Sequence, residues 1–156
     1  MQAITPFLWF DDQAEEAAEH YVSIFPSSAI LGVSRYGEGA PRPAGTAMSV
    51  AFVLDGLELQ ALNGGPEFHF TEAISLLVKS ETQSEIDRLW ERLGSGGEPG
   101  RCGWLKDRYG LSWQIVPPVL FELLGDPDPA RSGRVMQAML GMGKLDISAL
   151  QAAHDA

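Results

Sequence analysis

The chain has 156 residues, enough for one domain and short for two, and its 45% hydrophobic and 21% charged content is ordinary for a globular protein. A formal charge of −10 argues against a nucleic-acid backbone or an anionic membrane as partner, because binding either one needs clustered Lys and Arg. A single cysteine, Cys102, rules out an internal disulfide, the N-terminus lacks a basic leader, and no run approaches the ~18 apolar residues of a membrane helix, so a cytoplasmic protein is expected.

In chain order, Ile4 to Phe10 (ITPFLWF) reads as a strand, and Asp12 follows as an N-cap with Glu15 at capping-box spacing. Ala14, Ala17, Ala18, Tyr21, Val22 and Phe25 fall on one helical face, and Pro26 ends that helix. Strands are expected over Ile30 to Tyr36, Ala47 to Leu54 and Leu57 to Leu62. Asp55-Gly56 turns the last two into a hairpin. Ala73 to Lys79 begins the pattern again. Thr82 and Glu85 repeat the capping spacing, Ile86, Leu89, Trp90 and Leu93 form a stripe, and Gly94 stops it. A slide of 69 positions lays Ala17 on Ile86, Tyr21 on Trp90 and Ile24 on Leu93. A short strand at Gly97 to Gly100, then Cys102 to Lys106 and Leu111 to Val116, complete the second set. Pro117 and Pro118 stop the last strand, a helical turn is expected over Val119 to Leu124, and Ala130 to Met142 reads as a helix striped with methionine.

The grammar is β-α-β-β-β twice. The fold expected is α+β: two βαβββ modules, about 1–66 and 67–118, forming curved and mainly antiparallel sheets around a cavity, with a C-terminal helical tail over about 119–156. Hairpin register sorts the faces. Met48, Val50, Phe52, Leu54, Leu57, Leu59 and Ala61 form an apolar face toward the helices. Ser49, Ala51, Val53, Glu58, Gln60 and Leu62 form the other, with Ser112, Gln114 and Val116 its counterpart in the last strand. Small and polar side chains suit a cavity lining, so a small organic molecule is the expected partner. The residues expected to bind it are Gln114, Ser75, Gln60, Glu58 and Asn63, with the aromatic walls Phe68, Phe70 and Trp104.

Other chemistry finds little support. The histidines are His20, His69 and His154, without H-x-x-H or H-E-x-x-H spacing; only His69, beside Glu67 or Glu72, is placed to approach a cavity. The glycine run Gly94 to Gly100 follows a helix and enters strands, the reverse of a Rossmann-type methyl-donor site. Cys102 lacks an activating neighbour on its own face, and no G-x-S-x-G elbow exists. No cofactor is expected.

The segments ITPFLWFDDQAEEAAEHYVSIFP, LNGGPEFHFTEAISLLV, EIDRLWERL, CGWLKDRYGLSWQIVP and VMQAML resemble the PhnB-like branch of the vicinal-oxygen-chelate (glyoxalase/bleomycin-resistance) superfamily, often labelled 3-demethylubiquinone-9 3-methyltransferase. The resemblance implies paired βαβββ modules and a homodimer. It also implies a divalent ion that is held by histidine or glutamine and glutamate ligands and that two neighbouring substrate oxygens chelate. Those ligand positions fall here near Thr5 or Pro6, near Ser75 and at Gln114, a set too weak to hold a metal. Three readings follow: a metal-free binding domain, an enzyme on an aromatic or oxygenated metabolite using Gln114, Ser75 and Glu58, or a structural homodimer.

Overall fold

Pro6 decides where the first sheet begins. Its ring nitrogen carries no hydrogen, so it cannot donate to a ladder. Its carbonyl accepts from the Gln60 N–H at 3.0 Å, and β1 runs only over Phe7–Phe10. Ile4, expected inside the strand, is 88% exposed. The computed structural model describes residues 2–156, which cluster into two units that divide between Phe70 and Thr71.

In the first unit, β1 is followed by α1 (Ala14–Ile24), β2 (Ala29–Arg35), β3 (Ala47–Leu54) and β4 (Leu57–Asn63). The sheet order is β1-β4-β3-β2, with β1 parallel to β4 and the other pairs antiparallel. Asp55 and Gly56 take φ of 46° and 86°, as a two-residue hairpin turn requires, and Leu54 pairs with Leu57 as expected. Val50, Phe52, Leu59 and Ala61 are almost wholly buried with Ala14, Ala17, Ala18 and Tyr21 of α1. Full burial of a side chain such as Phe52 contributes about 1.5–3 kcal/mol, so this layer is the unit's main source of stability. Met48 and Leu57, at the ends of the apolar face, are 40% and 41% exposed.

The second unit repeats the order with β5 (Ser75–Lys79), α2 (Gln83–Gly94), β6 (Glu98–Pro99), β7 (Trp104–Lys106) and β8 (Ser112–Val116). Its sheet order is β5-β8-β7-β6, again with one parallel pair, β5 with β8. Ile86, Leu89 and Leu93 of α2 are buried, as are Leu105, Trp113 and Ile115. The chain is thus α+β: two four-stranded mixed sheets and five helices. All four strands are shorter than expected, β6 keeping only Glu98–Pro99 and β8 starting at Ser112. β5 starts at Ser75, not Ala73, because its parallel ladder begins where β8 begins, at Ser112. β7 starts at Trp104, not Cys102, because Cys102 takes φ of 58°, a left-handed conformation that cannot extend a strand.

Cys102 instead donates its N–H to Met142, and Gly103 donates to Gly143, so this turn anchors the C-terminal segment. That segment holds α3 (Pro118–Leu124), α4 (Pro129–Leu140) and α5 (Ile147–Asp155). Val116, Leu120, Val135, Leu145 and Leu150 form its core. Val135 alone of the expected methionine stripe is buried; Met136 and Leu140 are 40% and 48% exposed. His154 lies in the last turn of α5. Asp146 caps α5 at Ala149 N–H (3.0 Å), and Leu150 is completely buried. No helix of the described residues is long and apolar enough to cross a membrane.

Candidate functional site

Strand alternation leaves each sheet with a second face away from its packed helix. In the second unit Ser75 pairs with Ser112, Leu77 with Gln114, Trp104 with Gln114 and Lys106 with Ser112, so all six share that face. Gln114 Nε2 donates to Ser75 Oγ at 2.9 Å, which unites two of the expected ligand-binding residues. Trp104, a third, is half-buried and lines a cavity of about 370 Å³ together with Lys106, Ser112, Arg101, Glu72 and Glu98. That volume suits a small organic molecule, near the lower end for ligand pockets of roughly 300–1,000 Å³.

The electrostatics of this cavity are dominated by Lys106, which is ion-paired with Glu72. The hydrogen bond that Lys106 donates to Glu72, followed by the charge of Glu72, raises the Lys106 pKa, and the same hydrogen bond is the main reason that of Glu72 is lowered. Both groups are therefore charged at neutral pH. Ser112 is 1% exposed, and its hydroxyl has no hydrogen-bond partner among the described residues.

The remaining expected residues lie in the first unit. Gln60 and Glu58 are exposed; Gln60 shares its face with Phe7, and the Glu58 backbone is bonded to the Gln2 side chain. Phe68 is 60% exposed and meets the Trp9 ring edge-on at 4.9 Å, while Phe70 meets Phe10 at 5.2 Å. Neither phenylalanine lines the cavity above. Asn63 lines a second cavity of the first unit and is also bonded within the fold. Its Oδ1 accepts from the Ala14 N–H at 2.8 Å and its Nδ2 donates to the Ala47 carbonyl at 3.0 Å. At 5% exposure, with both ends of its amide engaged, it fastens α1 to the sheet. Asp12, expected to cap that helix, does not: α1 starts at Ala14, with Gln13 at the N-cap and no cap bond from its own side chain. That second cavity, about 640 Å³, opens beside Glu15, Glu19, Arg35 and Arg42 of this unit, but its cations are paired, Arg35 with Glu15 and Arg42 with Asp11.

Residues 2–116 match the family model described as 3-demethylubiquinone-9 3-methyltransferase. The chain belongs to this family. Among solved structures, a protein of Bacillus cereus described under the same name and as PhnB is 38% identical, with a TM-score of 0.70, covering 74% of this chain and 99% of that one. Protein PA1353 of Pseudomonas aeruginosa is 21% identical, with a TM-score of 0.62 over 75% of this chain and 98% of that one. A variant of the fosfomycin resistance protein FosX of Listeria monocytogenes, complexed with Mn(II) and 1S,2S-dihydroxypropylphosphonic acid, is 15% identical, with a TM-score of 0.55 over 80% of this chain and 99% of that one. No curated protein matches. The fold is that of the PhnB-like branch of the vicinal-oxygen-chelate superfamily, and α3 to α5 lie beyond the residues the family model matches.

The PhnB-like motif Asn63-Gly64-Gly65-Pro66 now has a physical reading. A Cβ on Gly64 would stand 2.3 Å from the Trp9 ring, so only glycine leaves room for the indole, whose Nε1 donates to the Gly65 carbonyl at 2.9 Å. The motif fixes β1, β4 and α1 to one another. Lys106, Ser112 and Arg101 line this cavity of the second unit without being among the expected binding residues. Lys106 lies two positions after Trp104 and Ser112 two before Gln114, so strand alternation carried the signal for both.

Proposed function

We propose that the chain binds a small organic molecule at the cavity lined by Trp104, Lys106 and Ser112, without a resident metal ion. The observation that carries this reading is the Ser112 hydroxyl, buried at the cavity and unpartnered among the described residues. An unsatisfied buried hydroxyl costs about 1–3 kcal/mol, a cost that a ligand's acceptor or donor removes. The Trp104 ring supplies an apolar wall, and the hydrogen-bonded pair Gln114–Ser75 lies on the same face.

The metal chemistry of the superfamily does not fit these residues. Ser75 and Gln114 stand at two of the ligand positions, and they offer a hydroxyl and an amide, both neutral and bonded to each other. Pro6, at the third, has no side-chain donor atom, and its neighbour Thr5 has only a hydroxyl. Divalent first-row ions prefer imidazole, carboxylate or thiolate. Among the described residues no three His, Cys, Asp or Glu side chains are grouped as a metal site would need.

Thermal unfolding of the full chain against a panel of small organic molecules, with and without EDTA, tests the reading. A ligand at ~100 times its Kd stabilises by ~2.7 kcal/mol, and that stabilisation should survive EDTA and weaken in Gln114→Ala. Stabilisation abolished by EDTA and restored by Mn(II) would overturn it.

A further inference from the structure

The charges around this cavity are unevenly matched. Four charged side chains line it: Glu72, Glu98, Arg101 and Lys106. Lys106 is paired with Glu72, and Glu98, opposite it across the β6–β7 ladder, adds to the field on its ammonium. These three form a closed set, one ammonium between two carboxylates. The Arg101 guanidinium has no hydrogen bond or ion pair among the described residues. The chain's other arginines are all engaged: Arg35, Arg42, Arg88 and Arg131 are ion-paired, Arg108 and Arg134 donate to carbonyls, and Arg92 has a partner too. Arg101 is exposed, so its guanidinium is free for a ligand that displaces the water on it.

Resting on the binding site proposed above, we infer that its ligand is a small organic acid, a carboxylate carried on a flat and largely apolar body. A guanidinium is a planar fork matched to a carboxylate's two oxygens, and the charge-assisted pair is stronger than a neutral hydrogen bond. Trp104 packs against the flat body, and the buried Ser112 hydroxyl donates to an oxygen of the ligand. A cationic ligand is disfavoured twice. It competes with Lys106 for Glu72 and Glu98, and it brings like charge to Arg101.

Benzoate, benzamide and benzylamine share a ring and differ in charge, so titrating the full chain with each at one low ionic strength separates the possibilities. The readout is the Trp104 indole N–H resonance, assigned with Trp104→Phe. Benzoate is expected to bind roughly tenfold tighter than benzamide, and Arg101→Gln to bring benzoate down to benzamide's affinity. Equal binding of benzoate and benzamide, or preference for benzylamine, would overturn the organic-acid inference and leave the binding site standing. A benzoate preference that survives Arg101→Gln overturns the role given to Arg101. Silence of the Trp104 signal toward all three would overturn the binding site as well.

Discussion

Helices α1 and α2 hold equivalent places in their modules, yet their first turns are fastened in opposite ways. At α2 the Thr82 hydroxyl accepts from the Glu85 N–H at 3.2 Å, three residues along. At α1 the Ala14 N–H donates to Asn63, 49 positions later in the chain and at the end of β4. One helix is closed by its own sequence; the other is closed by a residue of the sheet. The repeat is therefore kept in topology and in buried faces, while the fastenings have been solved separately.

Removing each fastening measures that difference. Asn63→Ala strands the Ala14 N–H and the Ala47 carbonyl in a buried place, at about 1–3 kcal/mol for each group, so a loss of about 3 kcal/mol in denaturant unfolding is expected. Thr82→Ala, on an exposed turn, should cost about 1 kcal/mol. Equal losses, or the reverse order, would contradict the contrast between the two helices.

The smallest effect expected belongs to a clasp in the second unit that the first does not repeat. His154 is hydrogen-bonded to Asp155 at 2.9 Å and to Asp126 at 2.7 Å. Those bonds, Asp155 first, raise the His154 pKa, while the Asp128 backbone N–H and then His154 lower that of Asp126. The folded chain holds the His154 proton more tightly than the unfolded chain does. Its contribution is therefore complete below the unfolded histidine pKa and is lost as pH rises through the raised folded value. That of Asp126 is lost as pH falls through its lowered value. The stability gap between the parent and His154→Gln, followed by thermal unfolding, should shrink toward alkaline pH. A gap that widens there would refute the clasp.

What was legible in the sequence follows the same division between local and distant causes. The Thr82–Glu85 spacing, the Asp55-Gly56 hairpin and the alternation of β3, β4 and β8 involve residues a few positions apart, and each could be read directly. The cap supplied by Asn63 could not, because nothing near Ala14 announces it. Expected to face a ligand, the Asn63 amide also bonds the Ala14 N–H and the Ala47 carbonyl. The expected helical tail over 119–156 covers α5 but does not give its bounds, because its burial rests on one leucine, Leu150, packed against Leu120, Val135 and Leu145. In the candidate site, alternation placed Trp104 and Gln114 on one face, but the pairing of Lys106 with Glu72 and the isolation of Arg101 are three-dimensional facts.

The proposal that a hydrogen-bonded Ser75–Gln114 pair has replaced a metal centre is tested most directly by adding Mn(II) to the 15N-labelled full chain and mapping paramagnetic broadening. Broadening should be diffuse and follow exposed carboxylates, leaving the Ser75 and Gln114 signals no more affected than their neighbours. Selective loss of those two signals at low Mn(II), reversed by EDTA, would contradict it.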